Sequence, residues 1–331
     1  MPELRQNLAT KEWVVISTER KKRPEEFAKK RSEVDPRPFE PTCPFCPGNE
    51  DLSLEILREP SEGPWRIRGV RNKYPALNSE GERIRLFDGV HRSMSGVGAH
   101  EVLIESPRHD VCPALESSDE VTEMLAAFQS RGRYHADDSR IEHVVWFKNH
   151  GALAGTSLVH PHTQVIGIPV VPYNVRARTD EARRYFDDSG DCVICRMAED
   201  ELDEKVRIVI DTNAFVAFVP FAAFSPFHLW IVPKRHRASF VDAGPEELQE
   251  LGRVLRSLVG RLYVGLGDPP YNYVIRSSPT RELGLEYLHW YLVIVPRVSQ
   301  EAGFELGSGM FINSSLPEES AIFLRDTPDS C

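Results

Sequence analysis

In the stretch His160-Pro161-His162-Thr163-Gln164, two imidazoles and an amide recur at every second position. In an extended chain such residues share one face, about 7 Å apart per pair. The small residues of Gly151–Ser157 before them let a ligand come close to the backbone, and Val165-Ile166-Gly167-Ile168 after them reads as a β-strand. A neutral imidazole, with an ordinary pKa of about 6.5, is a competent nucleophile toward phosphorus, provided an acceptor on its other nitrogen fixes the tautomer. His162 is the candidate for that role. Gln164 can donate to a phosphate oxygen but cannot trade a proton as a third histidine would. The leaving group must then be good without protonation, such as a sugar phosphate or pyrophosphate-type oxygen. The transferred group waits on His162 for a second phosphate acceptor, which marks a transferase rather than a hydrolase. The backbone amides of Gly151–Ser157, with the Asn149 and Ser157 side chains, could cradle the charge.

The cysteines supply a second kind of chemistry. Four of the six form Cys43-Pro-Phe-Cys46 and Cys192-Val-Ile-Cys195. In a reducing compartment such pairs are metal ligands or redox centres more often than disulfides. Cys43 and Cys46 sit in a Pro/Gly knuckle rather than before a helix, which favours metal over thioredoxin-like redox work. Two histidines added to each pair would complete a tetrahedral zinc site. Cys112 and Cys331 are expected to be a buried and a tail residue.

The elements around these residues occur twice. Cys192 and Cys195 follow Cys43 and Cys46 at an offset of 149. The strand Phe227–His236 answers His100–His109 at 127, and Tyr287–Val293 answers the stretch at Val159–Val165, with His289 against His160 at 129. A helix from Ser118, read as its cap, to about His135 answers one at Pro245–Leu262, and Tyr271–Arg276 answers His143–Lys148. Recurrence in the same order implies a duplicated α+β unit with two sheets. The halves are expected at 1–173 and 188–331, joined by a polar linker over 174–191 that carries an amphipathic segment. Two ligand sets follow, Cys43/Cys46/His109/His160 and Cys192/Cys195/His236/His289, each suited to zinc. Tyr291 and Val293 stand where His162 and Gln164 would be, so the reactive pair belongs to the first half alone.

With 331 residues, 41% hydrophobic and 27% charged, the chain has the composition of a globular protein with a substantial core. The charge of −10 argues against a broad nucleic-acid or anionic-membrane footprint but permits a local basic phosphate pocket. The charged start MPELRQNLATKEW lacks a signal-peptide core and no run is long enough for a membrane span, so the expected compartment is the cytoplasm. The run Arg20-Lys21-Lys22-Arg23 reads locally as a solvated face.

Asn149, Gly151, Gly155, Ser157, His160, Pro161, His162 and Gln164 together resemble the signature of the galactose-1-phosphate uridylyltransferase family of the histidine-triad superfamily. The resemblance extends over nearly the whole chain, through Arg20 and Arg23, the Cys43/Cys46 knuckle, Asn72, Ser106-Pro107-Arg108-His109 and the closing Gly303–Asn313 region. It implies two histidine-triad-like halves, a dimer that shares its active sites, and ping-pong nucleotidyl transfer through His162. It also implies that Asn149, Ser157 and Gln164 hold phosphates, and that Arg20 and Arg23 hold the sugar-phosphate end. Asn72 would hold the nucleotide, and Phe304, Glu305 and Asn313 would face the hexose. Many family members carry a second histidine in the last strand, where this chain has Tyr291. That departure, with the double Cys-x-x-Cys and Asp268–Tyr273, resembles the ADP-glucose phosphorylase branch, which passes adenylyl to inorganic phosphate. The expected activity is UDP-glucose–hexose-1-phosphate uridylyl transfer, with ADP-glucose phosphorolysis as the alternative and a non-enzymatic twin-zinc binding module as the third reading.

Overall fold

A computed structural model describes residues 2–17, 23–27 and 37–329. Along the chain come β1 (Glu3–Gln6), β2 (Trp13–Ile16), β3 (Glu55–Glu59), β4 (Ile67–Arg71), β5 (Arg85–Asp88), β6 (His91–Met94) and β7 (Ala99–Ile104), followed by α1 (Ser118–Ala136). Next are β8 (His143–His150), β9 (His162–Ile168), α2 (Tyr173–Ser189), α3 (Val193–Glu204), β10 (Ile208–Asp211), β11 (Phe215–Phe218) and β12 (Leu229–Pro233). The chain closes with α4 (Pro245–Leu266), β13 (Tyr271–Arg276), β14 (Tyr291–Pro296), α5 (Gly303–Ser308), β15 (Phe311–Asn313) and α6 (Pro317–Asp326).

The fold is α+β, and the duplication is visible in strand order. One half-sheet runs β3-β4-β7-β9-β8, and the other runs β13-β14-β12-β11-β10. The expected two sheets are, however, a single ten-stranded one. β8 and β13 are the inner edges of their halves, and they pair antiparallel from Tyr271↔His150 to Ile275↔Trp146. Two edge strands with unpaired backbone groups satisfy each other, which removes an aggregation-prone edge from each half.

Ladder register sharpens the correspondence between copies. Gln164 pairs with Phe147 and Val102, while its counterpart Val293 pairs with Val274 and Trp230. The equivalent offsets are therefore 127 for β8/β13 and 128 for β7/β12. Matching Tyr271–Arg276 to His143–Lys148 by pattern is one residue out, and a one-residue slip puts each side chain on the opposite face. In register, Arg276 stands where Asn149 is, Ile275 where Lys148 is, and His228 where His100 is.

α1 and α4 pack together over one face of the sheet, where Val121, Leu125, Phe128, Trp146, Leu255, Leu258, Tyr273 and Trp290 form the main core. The cap of α1 is Ser117 rather than Ser118: its hydroxyl accepts from Glu120 N, and the Glu120 carboxylate accepts from Ser117 N, a full capping box. The polar stretch taken for a linker is mostly the helix α2, which buries Thr179 and Ala182. At the far side, β2 pairs antiparallel with β1 and parallel with β15, so an early strand lies against the last.

Candidate functional site

His162 opens β9, whereas His160 lies just before the strand, and the turn between them aims the two rings differently. The loop before them depends on glycine. Gly151 has φ +81°, and a Cβ there would lie 2.9 Å from Pro270; Gly155 ends the short Ala152–Ala154 turn in the left-handed region.

His160 is fully buried. Its Nε2–H donates to the Ser106 carbonyl at 2.8 Å, which leaves the Nδ1 lone pair facing Cys46 Sγ at 3.5 Å, with His109 Nδ1 also 3.5 Å from that sulfur. An S···N edge of a zinc tetrahedron is about 3.5 Å, from bonds near 2.3 and 2.05 Å. In the second set, Cys195 Sγ lies 3.3 Å from His236 Nδ1 and 3.2 Å from His289 Nδ1. In each set the ligand atoms of Cys43, Cys46, His109 and His160, and of Cys192, Cys195, His236 and His289, lie within 4.8 Å of one another, so both can hold a metal ion and their donors fit zinc. The first set is wholly buried, and in the second His236 is exposed and Cys195 half-buried. A third group, Cys112, His150 and Asp268, is also clustered, but His150 and Asp268 already engage each other at 2.8 Å. Cys331 lies outside the described residues.

His162 faces a cavity of about 480 Å³ that it shares with Gln164, Ser157, Asn72, Phe45, Arg68, Arg71 and Lys73. Its Nδ1–H donates to the His160 carbonyl at 2.8 Å, so the Nε2 lone pair is the free one. Burial, with Lys148 adding to it, lowers its pKa to about 4 against the opposing hydrogen bond to His160, and the ring is neutral at physiological pH. The Phe45 ring packs edgewise on it, 5.5 Å between centroids. Beneath, the buried Lys148 ammonium donates to both Glu105 oxygens at 2.8 and 2.7 Å and to the His162 carbonyl at 3.2 Å.

Two supports were not legible as motifs. His100 Nδ1 accepts from Ala76 N at 3.1 Å, so its Nε2–H donates to Gln164 Oε1 at 2.8 Å. That bond engages Gln164 Oε1 and leaves the amide nitrogen, the donor a phosphate needs, uncommitted among the described residues. Asn149 is held from the other half: Asn272 donates to Asn149 Oδ1 at 2.8 Å and to the Ala154 carbonyl at 2.9 Å, and Arg297 donates to Asn272 Oδ1 at 2.6 Å. The only sequence hint for His100 was its even spacing with Val102 on the neighbouring strand.

Other expected residues are elsewhere in the chain. Arg20 lies outside the described residues. Arg23 lines a shallow depression with Glu319 and Asp326 of α6. Phe304 is exposed on α5, and Glu305, which caps that helix by accepting from Ala302 N, lines a small cleft with Arg297 and Phe311. Asn313 is buried, donating to the Ala223 carbonyl and accepting from Ser315 N. None of the four lines the His162 cavity.

No helix among the described residues is long and apolar enough to cross a membrane. The family described as galactose-1-phosphate uridyl transferase, N-terminal domain, matches residues 1–172. An ADP-glucose phosphorylase of Arabidopsis thaliana is 38% identical over 98% of this chain and 93% of its own. A galactose-1-phosphate uridylyltransferase of Thermotoga maritima is 28% identical over 99% of each. The crystal structure of an Arabidopsis thaliana ADP-glucose phosphorylase with bound ADP-glucose superposes with a TM-score of 0.84, at 33% identity over 99% of each chain. With a match over half its length and a near-complete relative above 30% identity, this chain belongs to the galactose-1-phosphate uridyl transferase family.

Proposed function

We propose that this chain is a nucleotidyltransferase that carries a nucleotide from a nucleotide sugar to a phosphate-bearing acceptor by way of His162. The observation that carries the reading is the His162 ring, its Nδ1 2.8 Å from the His160 carbonyl and its Nε2 free at a cavity with Gln164 and Ser157. In the first step Nε2 attacks the α-phosphorus, a P–N bond forms, and the P–O bond to the sugar phosphate breaks. The leaving oxygen departs as an anion, so no proton donor is needed. In the second step an acceptor phosphate oxygen attacks the same phosphorus and the imidazole leaves with its electron pair. Gln164 and Ser157 of the cavity lining, with Asn149 of the same sheet face, donate to the phosphate oxygens, and Arg71 and Lys73 give the cavity wall its positive charge, Arg68 being paired with Glu55. Asn72 lies on the nucleotide side. One zinc at each cysteine–histidine set would hold the thiolates and lock the loops that carry them.

Two donor–acceptor pairs are in play. The greater similarity to ADP-glucose phosphorylase favours ADP-glucose with inorganic phosphate. The match to the uridyl transferase family and the His160-Pro161-His162 proline favour UDP-glucose with a hexose 1-phosphate. If Arg23 holds the sugar-phosphate end and Phe304 and Glu305 face the hexose, they serve the cavity of a second copy, so we infer a homodimer. Incubation with ADP-glucose or UDP-glucose and intact-mass measurement tests the reading. One nucleotidyl adduct is expected, absent in His162→Ala, with turnover in that variant lower by at least about 10⁴-fold. An adduct that persists in the variant, or no adduct with either donor, sinks the mechanism. The acceptor that discharges the adduct decides between the pairs.

A further inference from the structure

The face of the sheet that carries His162 and Gln164 in one half opens onto a second cavity in the other. It measures about 240 Å³, half the volume of the His162 cavity, and lies between α2, α3 and strands β8, β13 and β14. Arg178 of α2 and Arg276 of β13 both line it, and neither makes an ion pair or hydrogen bond among the described residues. Two guanidinium groups on the wall of one cavity, neither ion-paired with a carboxylate, are costly. Burial, then the repulsion of Arg178, lowers the Arg276 pKa to about 10 against the opposing pull of Tyr291 and Glu12, and Glu12 forms no ion pair with it. Three buried polar atoms of lining residues also lack partners: His143 Nδ1, Ser278 Oγ and His289 Nε2. The contrast with the first half is direct, since the corresponding His160 Nε2 is satisfied by the Ser106 carbonyl. A native interior seldom leaves that many polar groups unsatisfied around one cavity unless something else completes them.

We propose that this cavity is a second ligand site, which binds a small phosphate monoester and does not turn it over. A phosphate dianion matches the two unpaired guanidiniums in charge, and its oxygens accept from the arginines, Ser278 and the histidine nitrogens. Val145, Val274 and Ile194 give the rest of the cavity an apolar wall suited to a short carbon skeleton, and the volume excludes a nucleotide sugar. The register explains the loss of reactivity: Arg276 takes the place of Asn149, while Tyr291 and Val293 replace His162 and Gln164. The duplicated copy has kept, and strengthened, the position that meets phosphate and has given up the nucleophile. The site stands independently of the nucleotidyl reaction.

Glycerol 3-phosphate and inorganic phosphate serve as probes in titration calorimetry on the full chain. Glycerol 3-phosphate is expected to bind the wild-type chain and Gln164→Ala alike, and Arg178→Gln/Arg276→Gln at least tenfold more weakly. The double variant should keep its His162 adduct and melt no lower than wild type, because a repulsion has been removed. Equal affinity in the double variant, no binding to wild type, or binding of inorganic phosphate alone overturns the proposal. Should the double variant fail to fold, phenylglyoxal labelling of the wild-type chain decides: glycerol 3-phosphate must protect Arg276, and labelling unchanged by the ligand overturns the site.

Discussion

The two halves of the sheet carry the same five-strand order and the same cysteine–histidine scaffold, yet they place opposite demands on the side chains of their inner strands. In the first half, His162, Gln164 and Asn149 line up on one face, each with its polar atoms directed: His162 by the His160 carbonyl, Gln164 by His100, Asn149 by Asn272. In the second, the same register holds Tyr291, Val293 and Arg276, and His228 accepts from Trp230 instead of orienting a glutamine. The helix side differs as well, since the Lys148–Glu105 ion pair of the first half has an isoleucine, Ile275, at its counterpart. The difference teaches that the cysteine–histidine scaffold and the ladder can be kept while the polar residues on the sheet face change. Backbone and ligand sets are kept in both copies, and the residue types differ at a few ladder positions.

The buried ion pair gives the largest contrast between the halves. Lys148→Met leaves Glu105 charged in an apolar interior and should cost about 3–5 kcal/mol in urea unfolding, whereas Ile275→Val should cost about 1 kcal/mol. A Lys148→Met loss no greater than that of Ile275→Val would show the pair to be inert.

Acid should weaken the chain through its buried histidines, of which His228 of the second half is the most depressed. Burial, above all, sets His228 at about 3 and His143 at about 4, below the ordinary 6.5. Their native pKa values are depressed, so the unfolded chain binds more protons, and stability falls as pH drops from about 6.5 to 4, by roughly 3 kcal/mol for each residue. Urea midpoints at pH 7 and 5 check this, and His228→Phe should flatten the slope. A slope unchanged in that variant removes His228 from the account.

The two metal sets should respond unequally. Cys46→Ser loosens the loop on which His160 and His162 sit and should slow adduct formation by about 10–100-fold. Cys195→Ser, at the more open set, should leave that rate unchanged while releasing one equivalent of metal. Equal slowing by both would tie the second set to the reaction.

The smallest expected effect is at His100. His100→Leu frees the Gln164 amide to rotate and should lower kcat about tenfold with KM little changed, the loss of roughly one oriented hydrogen bond. A rise in KM alone would make His100 a binding residue rather than a positioning one.

Much of this was legible beforehand. The paired Cys-x-x-Cys motifs and the recurring histidines identified both ligand sets, because metal chemistry restricts residue type so strongly that spacing alone carries information. His162 could be separated from His160 because only one had lost its counterpart. The alternation of apolar residues located the strands at β7, β8, β12 and β13 to within a few residues. What pattern could not supply was register, since an apolar run reads the same after a one-residue slip. For that reason Arg276 was matched to Lys148 and not to Asn149. Ser118 was taken for the cap because a serine pair offers two candidates, and only the reciprocal bond with Glu120 selects Ser117.

By itself the sequence determined the duplication, the two ligand sets, the candidate reactive histidine and the family, since each depends on residue identity at motif spacings that recur between the two copies. Only the tertiary structure decided that the halves share one sheet, that His100 directs Gln164, and that Asn272 and Arg297 reach across to hold Asn149. It also decided that Arg178 and Arg276 meet unpaired around one cavity. Each of these joins residues from different strands or helices, and hydrogen bonds and repulsions of that kind exist only once backbone pairing has set which side chains share a face.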